Sequence, residues 1–254
     1  MKSLHQEQIF EKLRSRFGVA GPTGFGPKSG LVPVPSAFPG AMLKTGLHEC
    51  LGQGPGDWSS VLGFALSAAS LLEEGEKPVF ILRLKNTLQE FGELYGHGLA
   101  GFGLDPAQLI TVCVKDEKEL LWAAEEIVSS QAARAVIAGL DAKEKLYGFT
   151  ASRRLKLRTE SSATPVFVLR HWGQGGATAA HSRWRVTQLP SAAGIKTPGP
   201  ELVGMPRLRA LAERCHGALS LQWEIDCHAP RCFGMASLLA DGAPRTGSAS
   251  QQAA

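Results

Sequence analysis

Nothing in the 254-residue sequence has the length and apolarity of a membrane span. The opening segment, MKSLHQEQIFEKLRSRF, lacks the apolar stretch of a secretory signal, so a cytoplasmic protein without membrane contact is expected. Cysteine is sparse and irregular: Cys50, Cys113, Cys215, Cys227 and Cys232 include no Cys-x-x-Cys pair. An odd set at such spacing excludes a disulfide framework and offers no zinc-type ligand pattern, so no metal is expected. Cys113, inside LITVCV, is expected in the core. Cys227, His228 and Cys232 receive no role. His48, His97, His171, His181, His216 and His228 are scattered, and no Ser/His/Asp set, Cys/His set or facing pair of carboxylates can be argued. There is no internal repeat.

What is present suits a globular chain: 44% hydrophobic and 20% charged residues, enough for a buried core in one domain with tails. Net charge is +4, unevenly spread. Residues 151–254 carry 13 Lys/Arg against 6 Asp/Glu, whereas residues 1–150 carry 14 against 17. A basic C-terminal part fits nucleic acid, an acidic partner, or a merely solvated surface.

Four regions follow from the pattern. Residues 1–17 read as an amphipathic helix with Leu4, Ile9, Phe10, Leu13 and Phe17 near one face. Ile9, Phe10, Leu13 and Phe17 make it a candidate docking helix. Residues 18–46 form a Pro/Gly-rich linker, where Pro22, Pro27, Pro33, Pro35 and Pro39 exclude regular structure. Residues 47–226 alternate strands (HECLG, PVFILRL, LITVCV, ARAVIAG, TPVFVL) with helices (Asp57 to Leu72, Asp116 to Ser129, Phe149 to Ser162). That predicts an α/β fold, a mostly parallel sheet with helices on both faces. WRVTQL, Leu208–Cys215 and LSLQWEI then follow without long helices between them and predict antiparallel additions. Residues 227–254 read as a tail, largely disordered in its Gly/Ser/Ala/Gln-rich end.

Between HECLG and the next helix lies Gly52-Gln53-Gly54-Pro55-Gly56-Asp57-Trp58-Ser59. A phosphate-binding loop sits in this strand–turn–helix context, with glycines aiming backbone N–H groups, a lysine reaching the outer phosphates and a Ser/Thr holding Mg²⁺. Gly52 and Ser59 match that pattern. The second glycine is replaced by Asp57 and the lysine by Trp58. Asp57 would cap the helix and repel phosphate, and Trp58 supplies no cation. The segment therefore reads as a degenerate phosphate loop, which nearly coincides with a plain capped helix, and no cofactor is expected. Gly21 to Ser29 mimics the motif, but no strand precedes it and Pro33 and Pro35 forbid a following helix. Asp141, after ARAVIAGL, takes the place of the Mg²⁺-holding acid and is expected to start a turn instead.

Two basic clusters stand out. In FTASRRLKLR, with Thr150 or Ser152 as cap, Arg154 and Arg158 share one helix face and Arg153 and Lys156 another. Arg183-Trp184-Arg185 begins a strand after GQGGATAA, which reads as a mobile loop. Arg with Trp can neutralise phosphates and stack bases, although a Trp at a strand start is more often packing. Arg153, Arg154, Lys156, Arg158, Arg183, Trp184 and Arg185 are candidate contacts to DNA or a partner.

LDPAQLITVCVKDEKELLWAAEEI, FTASRRLKLRTESSATPVFVLR and SRWRVTQLPS resemble the ImuA family, over roughly Leu47 to Asp226. The resemblance implies a RecA-like P-loop NTPase-type core with a defective nucleotide motif, agreeing with Asp57 and Trp58. It implies a non-catalytic accessory role in SOS-induced, error-prone translesion DNA synthesis. It further implies partnership with an inactive Y-family polymerase relative of the ImuB type, with RecA and an error-prone replicative-type polymerase as further partners. DNA would be met directly or through these partners. The N-terminal helix would resemble the segment by which RecA-like proteins dock on a neighbour. The tail after Asp226 and the proline-rich linker depart from the family pattern. A cell-division inhibitor of the SulA type, of related fold, is the alternative; so is an ATP-binding RecA-like protein with a nonstandard loop.

Overall fold

The computed structural model describes residues 40–226 apart from residues 73, 74, 76, 97, 98, 100, 101, 103, 142–144, 174, 175, 193–204 and 216–220. The candidate docking helix with Ile9, Phe10, Leu13 and Phe17, and the tail with Cys227, His228 and Cys232, lie outside the described residues. The end of the proline-rich stretch forms a 3-10 turn, Gly40–Leu43, and Leu43 is buried against the core.

Eight strands make one sheet: β1 (Leu47–Gly52), β2 (Val79–Leu84), β3 (Leu109–Val114), β4 (Ala135–Gly139), β5 (Val166–Arg170), β6 (Ser182–Ala192), β7 (Met205–Cys215) and β8 (Leu221–Asp226). Their order is β3-β2-β4-β5-β1-β6-β7-β8. Neighbours from β3 through to β6 pair in parallel, and β7 and β8 are added antiparallel. This matches the alternation seen in the sequence and the change of pattern after it.

Among the described residues, four α-helices pack on the sheet: α1 (Trp58–Ser70), α2 (Lys85–Phe91), α3 (Glu117–Ser130) and α4 (Phe149–Ser162). Strands buried on both faces read as apolar runs, and successive residues feed opposite layers. Ile137 joins the layer under α1 with Phe64, Ile81, Phe167 and Trp184. Val136 and Ala138 join the layer under α3 and α4 with Leu120, Val128, Leu155 and Val168. Helices thus lie on both faces. Among the described residues, no helix is long and apolar enough to cross a membrane.

Local chemistry sets the helix ends. Asp116 caps α3 by accepting from the Glu119 N–H at 2.9 Å, and Gln131 closes it in the left-handed region at φ 55°. α4 is not capped by Thr150 or Ser152. Gly148 holds the cap position, and the Ser152 hydroxyl donates to its carbonyl at 2.8 Å. The placement of Cys113 also corrects the sequence reading. β3 is an edge strand, so Cys113 and Ile110 are exposed despite the apolar run around them.

Candidate functional site

The glycine turn runs from the end of β1 into α1. Gly52 has to be small, since a Cβ there would meet Asp57 Cβ at 3.1 Å. Asp57 was expected to cap α1, but its carboxylate turns back into the loop. Oδ2 accepts from the Gly54 N–H at 2.8 Å and the Gln53 N–H at 3.1 Å. Oδ1 accepts from the Gln188 N–H of β6 at 3.1 Å. The carboxylate therefore engages two loop amides and ties the turn to β6. Gly56 and Ser59 are exposed.

Trp58 is buried beside it. Its ring stacks on His171 at 4.5 Å and on Phe91 at 5.5 Å. It lies over Gly139 at the end of β4, where a Cβ would come within 3.3 Å of the ring. Burial pushes the His171 imidazole down, opposed by Asp141 and Glu90, which leaves a neutral partner for the stack. These groups gather at the carboxyl ends of parallel strands, where open α/β sheets bind ligands. The depression left there, lined by Gly54, Pro55, Trp58, Arg170 and Trp172, has an empty volume of about 150 Å³. Asp141 accepts a hydrogen bond from the Asn86 amide and so joins the end of β4 to α2.

Beside the turn, β1 and β6 form a polar seam inside the sheet. Glu49 has no exposed surface; its Oε2 takes the Arg183 Nε–H at 2.7 Å, and Arg170 lies 3.7 Å from Oε1. Arg183 also donates to the Gly176 carbonyl at 2.7 Å and to Thr178 Oγ1 at 3.1 Å. His48 Nε2 donates to the Thr45 carbonyl at 2.9 Å, so Nδ1 is the acceptor for the Ser182 hydroxyl at 2.7 Å. Ser182 Oγ in turn accepts from Trp184 Nε1 at 2.7 Å. Burial holds the His48 imidazole down to about 3, consistent with this neutral tautomer. No substrate could reach the Ser182–His48 pair, because both residues are buried.

The seam gives Trp184 the packing role that is commoner for a Trp at a strand start, and it turns Arg183 from a candidate contact into a partner of Glu49. Trp184 has no exposed surface and packs 5.4 Å from Phe64, while the guanidinium of Arg183 is engaged internally. Arg185 pairs with Glu213 and donates to the Gly52 carbonyl at 3.1 Å, bracing the glycine turn. Nor is all of the stretch before them a free loop: Thr178 and Ala180 are buried, and the Ala179 N–H donates to Ser152 Oγ at 2.9 Å.

The basic helix α4 keeps an outward face. Arg154 bridges to Glu125 of α3 at 2.7 Å, and Lys156 lies 3.7 Å from Glu160. Arg153 and Arg158 are exposed and, among the described residues, make no ion pair. Exposed apolar side chains accompany them: Phe149, Leu157 and, on α3, Trp122.

Sequence reasoning did not reach the aromatic partners of Trp58 or the seam. The available signal for the seam was His48-Glu49 inside a strand that is otherwise apolar, since buried polar groups require partners.

No family model matches the chain. Protein ImuA from each of two strains of Caulobacter vibrioides is 30% identical over 229 residues, covering 82% of this chain and 87% of the relative. The crystal structure of SulA from Pseudomonas aeruginosa is similar at a TM-score of 0.37 and 16% identity, covering 49% of this chain and 97% of that one.

Proposed function

The chain belongs to the ImuA family, and from that premise we propose that it is a non-catalytic adaptor of damage-induced, error-prone DNA synthesis. Its core is read as RecA-like, with a phosphate loop that no longer takes a nucleotide. The partner in this reading is an inactive polymerase relative of the Y family. RecA and an error-prone replicative-type polymerase are further partners, and DNA is met directly or through them in the cytoplasm.

One observation carries the non-catalytic part. The Asp57 carboxylate accepts the Gln53 and Gly54 N–H groups that a phosphate would need. A nucleotide would have to displace an internal anion and then meet its charge. Trp58 stands where a lysine would be needed and fills the adjoining space by stacking on His171 and Phe91. Trp58 supplies no cation and the Asp57 carboxylate is already engaged by three backbone N–H groups, so neither residue offers what phosphoryl transfer asks of a phosphate loop.

The adaptor reading is tested by purifying the tagged full chain from damage-induced cells and identifying co-purified proteins by mass. Recovery of a Y-family polymerase relative supports it. Recovery of the division GTPase in its place would move the reading to the SulA-type alternative. Binding of labelled ATP with Mg²⁺ by the purified chain would overturn the non-catalytic assignment.

A further inference from the structure

We infer that the outward face of α4, with the adjoining part of α3, docks an acidic amphipathic segment of a partner protein. This deepens the adaptor reading and rests on it for the existence of a protein partner.

Phe149, Arg153 and Leu157 follow one another at four-residue steps along α4 and share one side of the helix. All three are exposed, Phe149 by 53% and Leu157 by 56%. Trp122, 64% exposed, presents an indole from α3, the helix that Arg154 bridges to α4 through Glu125. Single exposed apolar residues are ordinary, but three large ones on two bridged helices form a surface that water does not favour. The same helices bury Leu155 and Leu120 toward the sheet, so the outward residues contribute nothing to the core beneath.

Charge sets the chemistry of the occupant. Arg154 and Lys156 are already matched by Glu125 and Glu160. Arg153 and Arg158 are the cations of α4 without an acidic partner among the described residues. Arg153 between Phe149 and Leu157, with Arg158 next to Leu157 on the flank it shares with Arg154, fits carboxylates alternating with apolar groups, as on an acidic amphipathic helix. Nucleic acid fits less well. Phosphate tracking needs several cations in a row, and a phosphate backbone would cover neither Leu157 nor Phe149.

The test uses the purified full chain and a fluorescently labelled, roughly 20-residue helical peptide with glutamate on one side and leucine on the other. Anisotropy is expected to rise on binding, and Leu157→Asp and Arg153→Glu are each expected to weaken affinity about tenfold or more. Replacing the leucines of the peptide by glutamine should cause a similar loss, and a single-stranded oligonucleotide of roughly 20 nucleotides should not compete. Absence of binding, equal binding by both variants, or competition by the oligonucleotide overturns the assignment. Both altered side chains are exposed, so an unchanged thermal midpoint verifies folding, with Leu157→Ser replacing the aspartate variant should that one unfold. The adaptor reading fails separately, if the wild-type chain co-purifies with no polymerase relative.

Discussion

Glu49 of β1 and Arg183 of β6 stand directly opposite each other in the parallel register, and their side chains meet at 2.7 Å within the sheet. A wholly buried carboxylate that loses this guanidinium keeps its desolvation cost, with only Arg170 at 3.7 Å left to offset it. Arg183→Ala is therefore expected to lower stability by about 3–5 kcal/mol, and Glu49→Ala by a similar amount. Replacing both by leucine should recover only part of the loss, since the buried Arg170 guanidinium then also loses the Glu49 carboxylate. Urea unfolding of the two single variants and the double variant measures this; a loss near zero for either single variant would contradict the internal role.

His48 gives the protein an acid-side weakness. Its folded value, about 3, lies below the ordinary 6.5 because of burial. Between those two values the unfolded chain binds the proton and the folded chain does not. Stability is thus unaffected by this residue above about pH 6.5 and falls as the pH drops toward 3. The expected loss is about 2 kcal/mol between pH 7 and pH 5. Urea titrations at both pH values, on the wild type and on His48→Gln, isolate the contribution; an equal pH slope in both proteins would refute it.

Asp57 secures the glycine turn through three backbone N–H groups. Asp57→Ala leaves those donors without their acceptor and is expected to cost about 1–3 kcal/mol. It should not create ATP affinity, since Trp58 still occupies the adjoining space. Denaturation together with binding of a fluorescent ATP analogue checks both halves of the expectation.

Arg153→Ala combined with Arg158→Ala should weaken capture of the protein partner most at low ionic strength. The difference from wild type should fade as salt rises, because the Debye length shrinks from about 10 Å at 0.1 M to about 3 Å at 1 M. A loss independent of salt would mean that the arginines act through packing alone.

The sheet was legible because its strands are apolar runs separated by helices of clear periodicity. Strand identity and the late antiparallel additions both followed from that pattern. The exposure of Cys113 was not legible: LITVCV reads as a buried strand, and only strand order reveals that β3 has one neighbour. The partners of Arg183 and Trp184 were not legible, because sequence spacing does not tell which strand lies opposite. Their roles depend on Glu49 and Ser182, fixed by the register of β1 against β6. Asp57 was legible as the residue that removes the second glycine, but its hydrogen bond to β6 depends on the same long-range pairing.

That pairing also has a temporal side. Leu47, His48 and Glu49 each bond a residue 134 positions further along the chain. At about 5–20 residues per second on a ribosome, the first polar strand of the sheet waits roughly 7 to 27 seconds before its partners are synthesised. During that interval a carboxylate and an imidazole that end in the interior have only water as company. β1 can enter the sheet beside β5 first and close against β6 last, so the nascent protein passes through a stage with its central strand half covered, the stage most exposed to misassociation and to chaperone capture.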